Sequence, residues 1–363
     1  MIYEQLVMEV IDMNLEEVKK IKLKHEMKLM KKANVIGVMT AQKIQNGVIT
    51  STLGITCMVR DKVAPQKLRT KDIIPKEIDG VFTDVIEVGR VKALGTGGLM
   101  RPRIGDSGID RKTRLRPAPM GTSGGHYSIT AGTNGELLMV DGNLCIGTNN
   151  HVAAMSNEAK IGDDYLQPGP HDGGKKPDDV IGNLYKFQEI TFVDAPSSCQ
   201  FAGAITTVCN LISAALGRKT RLSAFYSKNI SNLVDAAAVK VISAEYVLSK
   251  ILDIGRPKGV GEAHIDAVVQ KSGRTTEHTK NASVTAVDAT INVSYGEGKM
   301  AIFTNQILIS QPGFSAGGDS GSLVLNMSGY AVGKLFAGSD QVTIANHMRD
   351  YLDALDAELV VEK

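Results

Sequence analysis

The hydrophobic rhythm of the chain changes three times. Over residues 1–32, Val7, Val10, Ile11, Leu15 and Val18 recur at helical spacing among glutamates and lysines, which predicts one or two amphipathic helices held by packing. From Asn34, β-rich runs (VIGVMTAQKI, GVITSTLGITCMV, DVIEVGRVKAL) alternate with glycine and charge, as in a small α/β unit ending near residue 95. Residues 96–125 are rich in Gly, Pro and Arg and keep no hydrophobic period, so they read as a linker or long surface segment.

From residue 126 to 363 the pattern is one of short strands: ELLMV, NLCIGT, GNLYKF, DAAAVKVI, DAVVQK, SVTAVDATINVSY, FTNQILIS, SLVLN and AVGKLFAG. Asp141-Gly142 joins the first two as a hairpin turn, because Asp and Gly tolerate the positive φ angles such turns require. So many short strands predict an all-β barrel or sandwich rather than a βαβ fold. Ile344, Met348, Tyr351, Leu352, Leu355 and Leu359 then share one face of a predicted closing helix. The expected organisation is an N-terminal α/β unit (1–95), a linker (96–125) and a mainly β domain (126–363).

Composition narrows the function classes. Lys+Arg 41 against Asp+Glu 39 gives a formal charge of +2, which offers no support for a polyanion-binding protein, and no nucleic-acid partner is expected. Arg101, Arg103, Arg111, Lys112, Arg114 and Arg116 read as a solvated basic segment with Asp106 and Asp110 as partial counter-charges; the rival reading is an anion contact. The N-terminus has no apolar core followed by a small-residue cleavage site, so a cytoplasmic location is expected. The longest apolar run, residues 201–216, is broken by polar residues and is shorter than the roughly 20 residues of a membrane span. It is expected to be a buried or half-buried helix that packs the barrel, with no membrane partner. Cys57, Cys145, Cys199 and Cys209 lack metal-ligand spacing and are expected to be free buried thiols; no metal and no cofactor are implied.

Near the C-terminus, small residues crowd one serine in Phe314-Ser315-Ala316-Gly317-Gly318-Asp319-Ser320-Gly321-Ser322, directly before the apolar Leu323-Val324-Leu325. This suits a nucleophile on a tight turn, with the backbone N–H groups of Gly318 and Ser320 converging as oxyanion donors. A second copy of the motif, Gly105-Asp106-Ser107-Gly108, has no strand after it and reads as a polar turn. A serine nucleophile needs a base, and His151 in IGTNNHVAA follows a hairpin strand; the six other histidines read as structural or surface groups. The imidazole in turn needs a buried carboxylate. Asp235 in LVDAAAV is the candidate, since a carboxylate in an apolar strand is costly unless paired, whereas Asp163, Asp164, Asp178, Asp179 and Asp194 lie in loop sequence and are expected to be solvated.

The order His151, Asp235, Ser320 and the residues around each resemble the three motifs of the chymotrypsin-like (trypsin-like) serine proteases. The N-N-H-V form is similar to the HtrA group, although only 43 residues follow Ser320, too few for that group's PDZ domain. Thr130-Ala131-Gly132-Thr133, Gly273-Arg274-Thr275-Thr276, the Gly318–Val324 stretch and Val332-Gly333-Lys334-Leu335-Phe336-Ala337-Gly338 resemble the trypsin-like domain of the plant Narrow Leaf 1 proteins and their bacterial relatives. The resemblance implies a chymotrypsin-like double β-barrel, a serine endopeptidase acting on peptide or protein substrates through an acyl-enzyme, and a homo-oligomer. It also implies that Phe314 floors an apolar substrate pocket walled by the strand carrying Phe336 and Gly338. In secreted members the acid before the nucleophile pairs with a new N-terminus; no such activation site is apparent here, so Asp319 must find another partner. The alternative class is a non-catalytic scaffold that keeps the barrel.

Overall fold

The structure is a computed structural model that describes residues 13–45, 48–94, 108–129, 131–196, 200–215, 225–227, 231–296 and 298–362. It is mainly β, built on two large sheets. An eight-stranded sheet contains Ser123–His126, Gly132–Thr133, Glu136–Val140, Asn143–Thr148, Asp164–Leu166, Val180–Phe187, Ala237–Val241 and Ala357–Leu359. It rolls around a core that includes Leu138, Ile146, Tyr165, Leu184 and Val239. At its hairpin, Asp141 (φ 46°) and Gly142 (φ 73°) both take left-handed conformations, as the two-residue turn requires.

In the second sheet, the strands Val268–Gly273, Leu323–Asn326, Tyr330–Gly338, Thr343–His347, Met300–Ile309 and Glu277–Ser294 pair in that order. Glu277–Ser294 returns to pair with Val268–Gly273 and closes a barrel. Closure leaves Val268–Gly273 without a free edge and encloses Val269, Val284, Ile307, Phe314, Val324 and Leu335. The double-barrel architecture read from the sequence is therefore the one observed.

Glu277–Ser294 also carries the N-terminal strands, because Val35–Gln45 pairs with it, Val48–Val59 pairs with Val35–Gln45, and Val81–Glu87 adds parallel to Val48–Val59. The helix Leu15–Met30 lies on this extension; Asn14 and Glu17 form its capping box, and Val18 and Leu29 are buried. Val7, Val10 and Ile11 lie outside the described residues.

Two local readings change. The closing helix is shorter than its apolar face suggested: it spans Met348–Leu355, Ile344 belongs to the preceding strand, and Asp356 (φ 46°) ends it. Leu359 lies in a strand that pairs with Glu136–Val140, where ladder hydrogen bonds satisfy backbone that a longer helix would have left at a free end. The helix Gln200–Ala215 exposes Ile205, Val208 and Leu211, so it is not a fully buried helix. No helix of the described residues is long and apolar enough to cross a membrane. Cys57 and Cys145 are free and buried, Cys209 is free and half-buried, and Cys199 lies outside the described residues.

Among its described residues the basic segment is solvated only in part. Arg111 is buried, paired with Asp253 and bonded to Ser272. Arg114 lies 3.1 Å from Asp179, and Arg116 is tied to Gln167 and to the carbonyl of Asp179. These guanidiniums are occupied within the protein, so they argue for neither free charge nor an anion site. Arg101, Arg103 and Ser107 lie outside the described residues.

Candidate active site

Three sequence segments meet where the two barrels face each other. His151 stands on the short helix Asn150–Ala153, three residues past the strand Asn143–Thr148, and Asp235 lies two residues before the strand Ala237–Val241 of the same sheet. Ser320 comes from the second barrel, on the turn before Leu323–Asn326. His151 Nδ1 lies 2.6 Å from Asp235 Oδ2, and Nε2 lies 2.8 Å from Ser320 Oγ. Asp235 also accepts the backbone N–H of His151 at 3.3 Å, which fixes carboxylate and ring to the same turn. All three residues are buried. With the carboxylate on Nδ1, that nitrogen carries the hydrogen, which leaves Nε2 free to accept from the serine.

Further groups hold this arrangement. The Asn149 side chain donates to the Asp235 carbonyl at 2.8 Å, and Asn346 Oδ1 accepts from the Asp235 N–H at 3.1 Å. Tyr295, just past the Glu277–Ser294 strand, donates its hydroxyl to Asp235 Oδ2 at 2.8 Å and sets its ring edge-on to His151. Burial, and then the negative charge of Asp235, push the Tyr295 phenol well above its usual pKa, so it stays a donor.

The turn that carries Ser320 depends on two glycines in left-handed conformations, Gly318 (φ 97°) and Gly321 (φ 93°). A Cβ on Gly321 would stand 2.3 Å from the Thr133 carbonyl oxygen, so only glycine fits. Thr133 crosses from the first sheet: its N–H donates to the Ser320 carbonyl at 2.8 Å and its hydroxyl to the Gly318 carbonyl at 2.9 Å. Asp319 finds its partner in Lys271, fully buried and 3.3 Å away. It also accepts from the N–H groups of Thr275, Thr276 and Ala316 and from the Thr276 hydroxyl. The Gly273-Arg274-Thr275-Thr276 motif thus wraps the carboxylate next to Ser320. Burial pushes the Lys271 pKa down while Asp319 supports its charge.

Around the cleft, Phe314 is buried in an apolar cluster with Leu335 and Leu94, and Phe336 is buried in the adjacent one. The Phe336 carbonyl oxygen lies 3.2 Å from Ser320 Oγ and accepts from the Leu94 N–H at 3.1 Å. The Gly318 N–H, one of the two expected oxyanion donors, donates to the Leu94 carbonyl at 2.9 Å. At Gly338 an added Cβ would lie 3.4 Å from Leu94 Cδ1. His126 pairs with Asp163, His25 with Asp79, and His347 with the Val287 carbonyl. Asp163 and Asp179 are thereby engaged rather than merely solvated. Among the described residues no cluster of His, Cys, Asp and Glu has the make-up of a metal site.

Sequence reasoning missed Tyr295, Lys271 and Thr133 as parts of this site. Lys271 carried a weaker signal than Asp235, a charge in a strand whose other polar residues, Gln270 and Ser272, mask it. Tyr295 and Thr133 carried none beyond their place at strand ends.

No protein-family model matches the chain, and no curated protein matches it. Its solved structural neighbours are serine proteases of low sequence identity. Thermobifida fusca protease A aligns at 15% identity and a TM-score of 0.42, covering 68% of this chain and 100% of that one. A glutamic acid-specific serine protease aligns at 17% and 0.43, covering 67% and 100%. Cellulomonas bogoriensis chymotrypsin aligns at 15% and 0.40, covering 67% and 98%.

Proposed function

We propose that the protein is a serine endopeptidase that cleaves peptide bonds through an acyl-enzyme. The observation that carries this reading is His151, which spans the gap between Asp235 at 2.6 Å and Ser320 at 2.8 Å. In this reading Ser320 Oγ attacks the substrate carbonyl while His151 Nε2 takes its proton. The same proton then passes to the leaving amine, and water repeats the sequence on the ester. Asp235 keeps the imidazole oriented and stabilises its positive form. Gly318 and Ser320 donate backbone N–H groups to the oxyanion, which strengthens in the transition state as charge gathers on oxygen.

Phe314, Phe336 and Gly338 are the proposed substrate-binding positions: Phe314 in the pocket for the side chain before the cleaved bond, Phe336 and Gly338 on the strand that a substrate backbone pairs with. Leu94, Val269 and Leu335, which share the buried cluster with Phe314, are all apolar. A cytoplasmic setting, a homo-oligomeric assembly and kinship with the Narrow Leaf 1 group belong to the same reading. A fluorophosphonate that modifies Ser320, with modification and peptidase activity both lost in Ser320→Ala, is the expected result. An unmodified Ser320 would favour the scaffold alternative.

A further inference from the structure

The substrate side of the cleft is occupied by the protein's own chain. Lys92–Ala93 forms a short strand in which Ala93 pairs antiparallel with Ala337 and Lys92 with Gly338. Ser294 lies on its other side, donating to the Val91 carbonyl at 3.2 Å. Upstream, the Ser339 hydroxyl ties down the Val88 carbonyl at 2.5 Å. Val91 and Leu94 point into apolar clusters, while Lys92 is exposed.

The register at Leu94 is the telling feature. Its N–H donates to the Phe336 carbonyl, the same oxygen that Ser320 Oγ contacts, and its carbonyl oxygen accepts from the Gly318 N–H. Its side chain is buried in the cluster that contains Phe314. A peptide added as an edge strand gains affinity from ladder hydrogen bonds and specificity from alternate side chains, and this segment meets both requirements. The residue whose carbonyl is held by the oxyanion donor and whose side chain fills the pocket is Leu94.

We infer that the protein cleaves its own chain, in cis, at the peptide bond between Leu94 and Gly95. This rests on the serine-protease reading. Ser320 Oγ bonds to the Leu94 carbonyl carbon as its proton passes to His151 Nε2. The carbon–nitrogen bond to Gly95 then breaks, its electron pair leaves on nitrogen, and that nitrogen takes the proton from His151 as a new amino terminus. Water adds its oxygen to the Leu94 acyl carbon and a proton to His151, the ester breaks, and Ser320 Oγ recovers the proton. One water is consumed and one peptide bond is hydrolysed. The cut differs from one that creates an ion pair for the acid beside the nucleophile, because Asp319 already has Lys271. The two pieces stay together, since Val35–Gln45 remains paired with Glu277–Ser294 and Lys22 stays buried between Glu26 and Asp288.

The test is intact-mass spectrometry of the purified full chain over time, with fluorophosphonate labelling of the same samples. Wild type should convert to fragments 1–94 and 95–363 that co-elute on gel filtration. Ser320→Ala should slow conversion on the order of 10⁴-fold or more. Leu94→Met should still be cut and Leu94→Asp should not, and the rate should not depend on protein concentration. A wild-type chain that stays intact while Ser320 takes the label, in wild type or in Leu94→Asp, would overturn self-cleavage and leave the protease reading standing. Equal cutting of Ser320→Ala, or a rate proportional to concentration, would overturn self-cleavage in cis. An intact chain with unlabelled Ser320 in both forms would overturn both readings.

Discussion

The Tyr295 hydroxyl and the His151 ring share a single oxygen of Asp235, at 2.8 Å and 2.6 Å respectively. The carboxylate is buried, so each donor that it accepts replaces water that it has lost. Asp235→Asn should leave the fold intact and lower turnover on the order of 10⁴-fold, because His151 would present the wrong nitrogen to Ser320. Tyr295→Phe removes one hydrogen bond to a charged group, worth roughly 1.5–3 kcal/mol, and should lower turnover by about 10- to 100-fold. Steady-state kinetics on a peptide anilide, with kcat and KM separated, checks both; a larger effect on KM than on kcat would contradict the orienting role.

Lys271 and Asp319 form an ion pair with neither side chain exposed. Removing one member of such a pair strands the other as a buried charge, at a cost of about 3–5 kcal/mol. Lys271→Met should therefore destabilise the protein by about that amount in urea unfolding, and Lys271→Met with Asp319→Asn by less. A double variant whose loss equals the sum of the two single losses would show that the two charges do not depend on each other.

Buried thiols make stability fall in alkali. Burial pushes Cys57 up to about 12 and Cys145 up to about 11, from an ordinary value of 9.0. As pH rises through 9 the unfolded chain loses these protons first, so it is the unfolded state that gains. Each thiol's contribution is complete below pH 9 and declines at ~1.4 kcal/mol per pH unit up to its folded value. Urea midpoints at pH 8 and pH 10.5 should diverge more for wild type than for Cys57→Ala, whereas equal divergence would remove Cys57 as a source.

Much of the site was legible because its chemistry is local in the sequence. Gly-Asp-Ser-Gly before an apolar strand, a histidine after a hairpin strand, and a carboxylate inside LVDAAAV each violate the bland pattern around them. The closing helix was read too long because the apolar residues of its flanking strands continued its face by coincidence of spacing. The pairing of Leu94 with Phe336 and Gly318 could not be read at all. It joins positions more than 200 residues apart through backbone atoms, which every residue carries alike, so no side-chain pattern announces it.

Substrate choice follows from the apolar lining around Phe314 and from Leu94 within it. An Arg or Lys side chain would be desolvated there without a carboxylate, so a peptide library should show cleavage after Leu, Met, Val or Ala. Neighbours in that set should differ by only about 1–3 kcal/mol. Phe314→Ala should blunt the preference. Dominant cleavage after Arg or Lys would reject the pocket.

The proposed activity requires that Ser320, activated by His151, be a nucleophile. Fluorophosphonate labelling followed by peptide mapping tests it most directly, on wild type and on Leu94→Asp, in which the occupying strand loses its apolar anchor. One phosphonyl group is expected on Ser320, added faster in Leu94→Asp, absent from Ser320→Ala and unaffected in Ser107→Ala. An unlabelled Ser320 in both wild type and Leu94→Asp, or a label that survives Ser320→Ala, would contradict it.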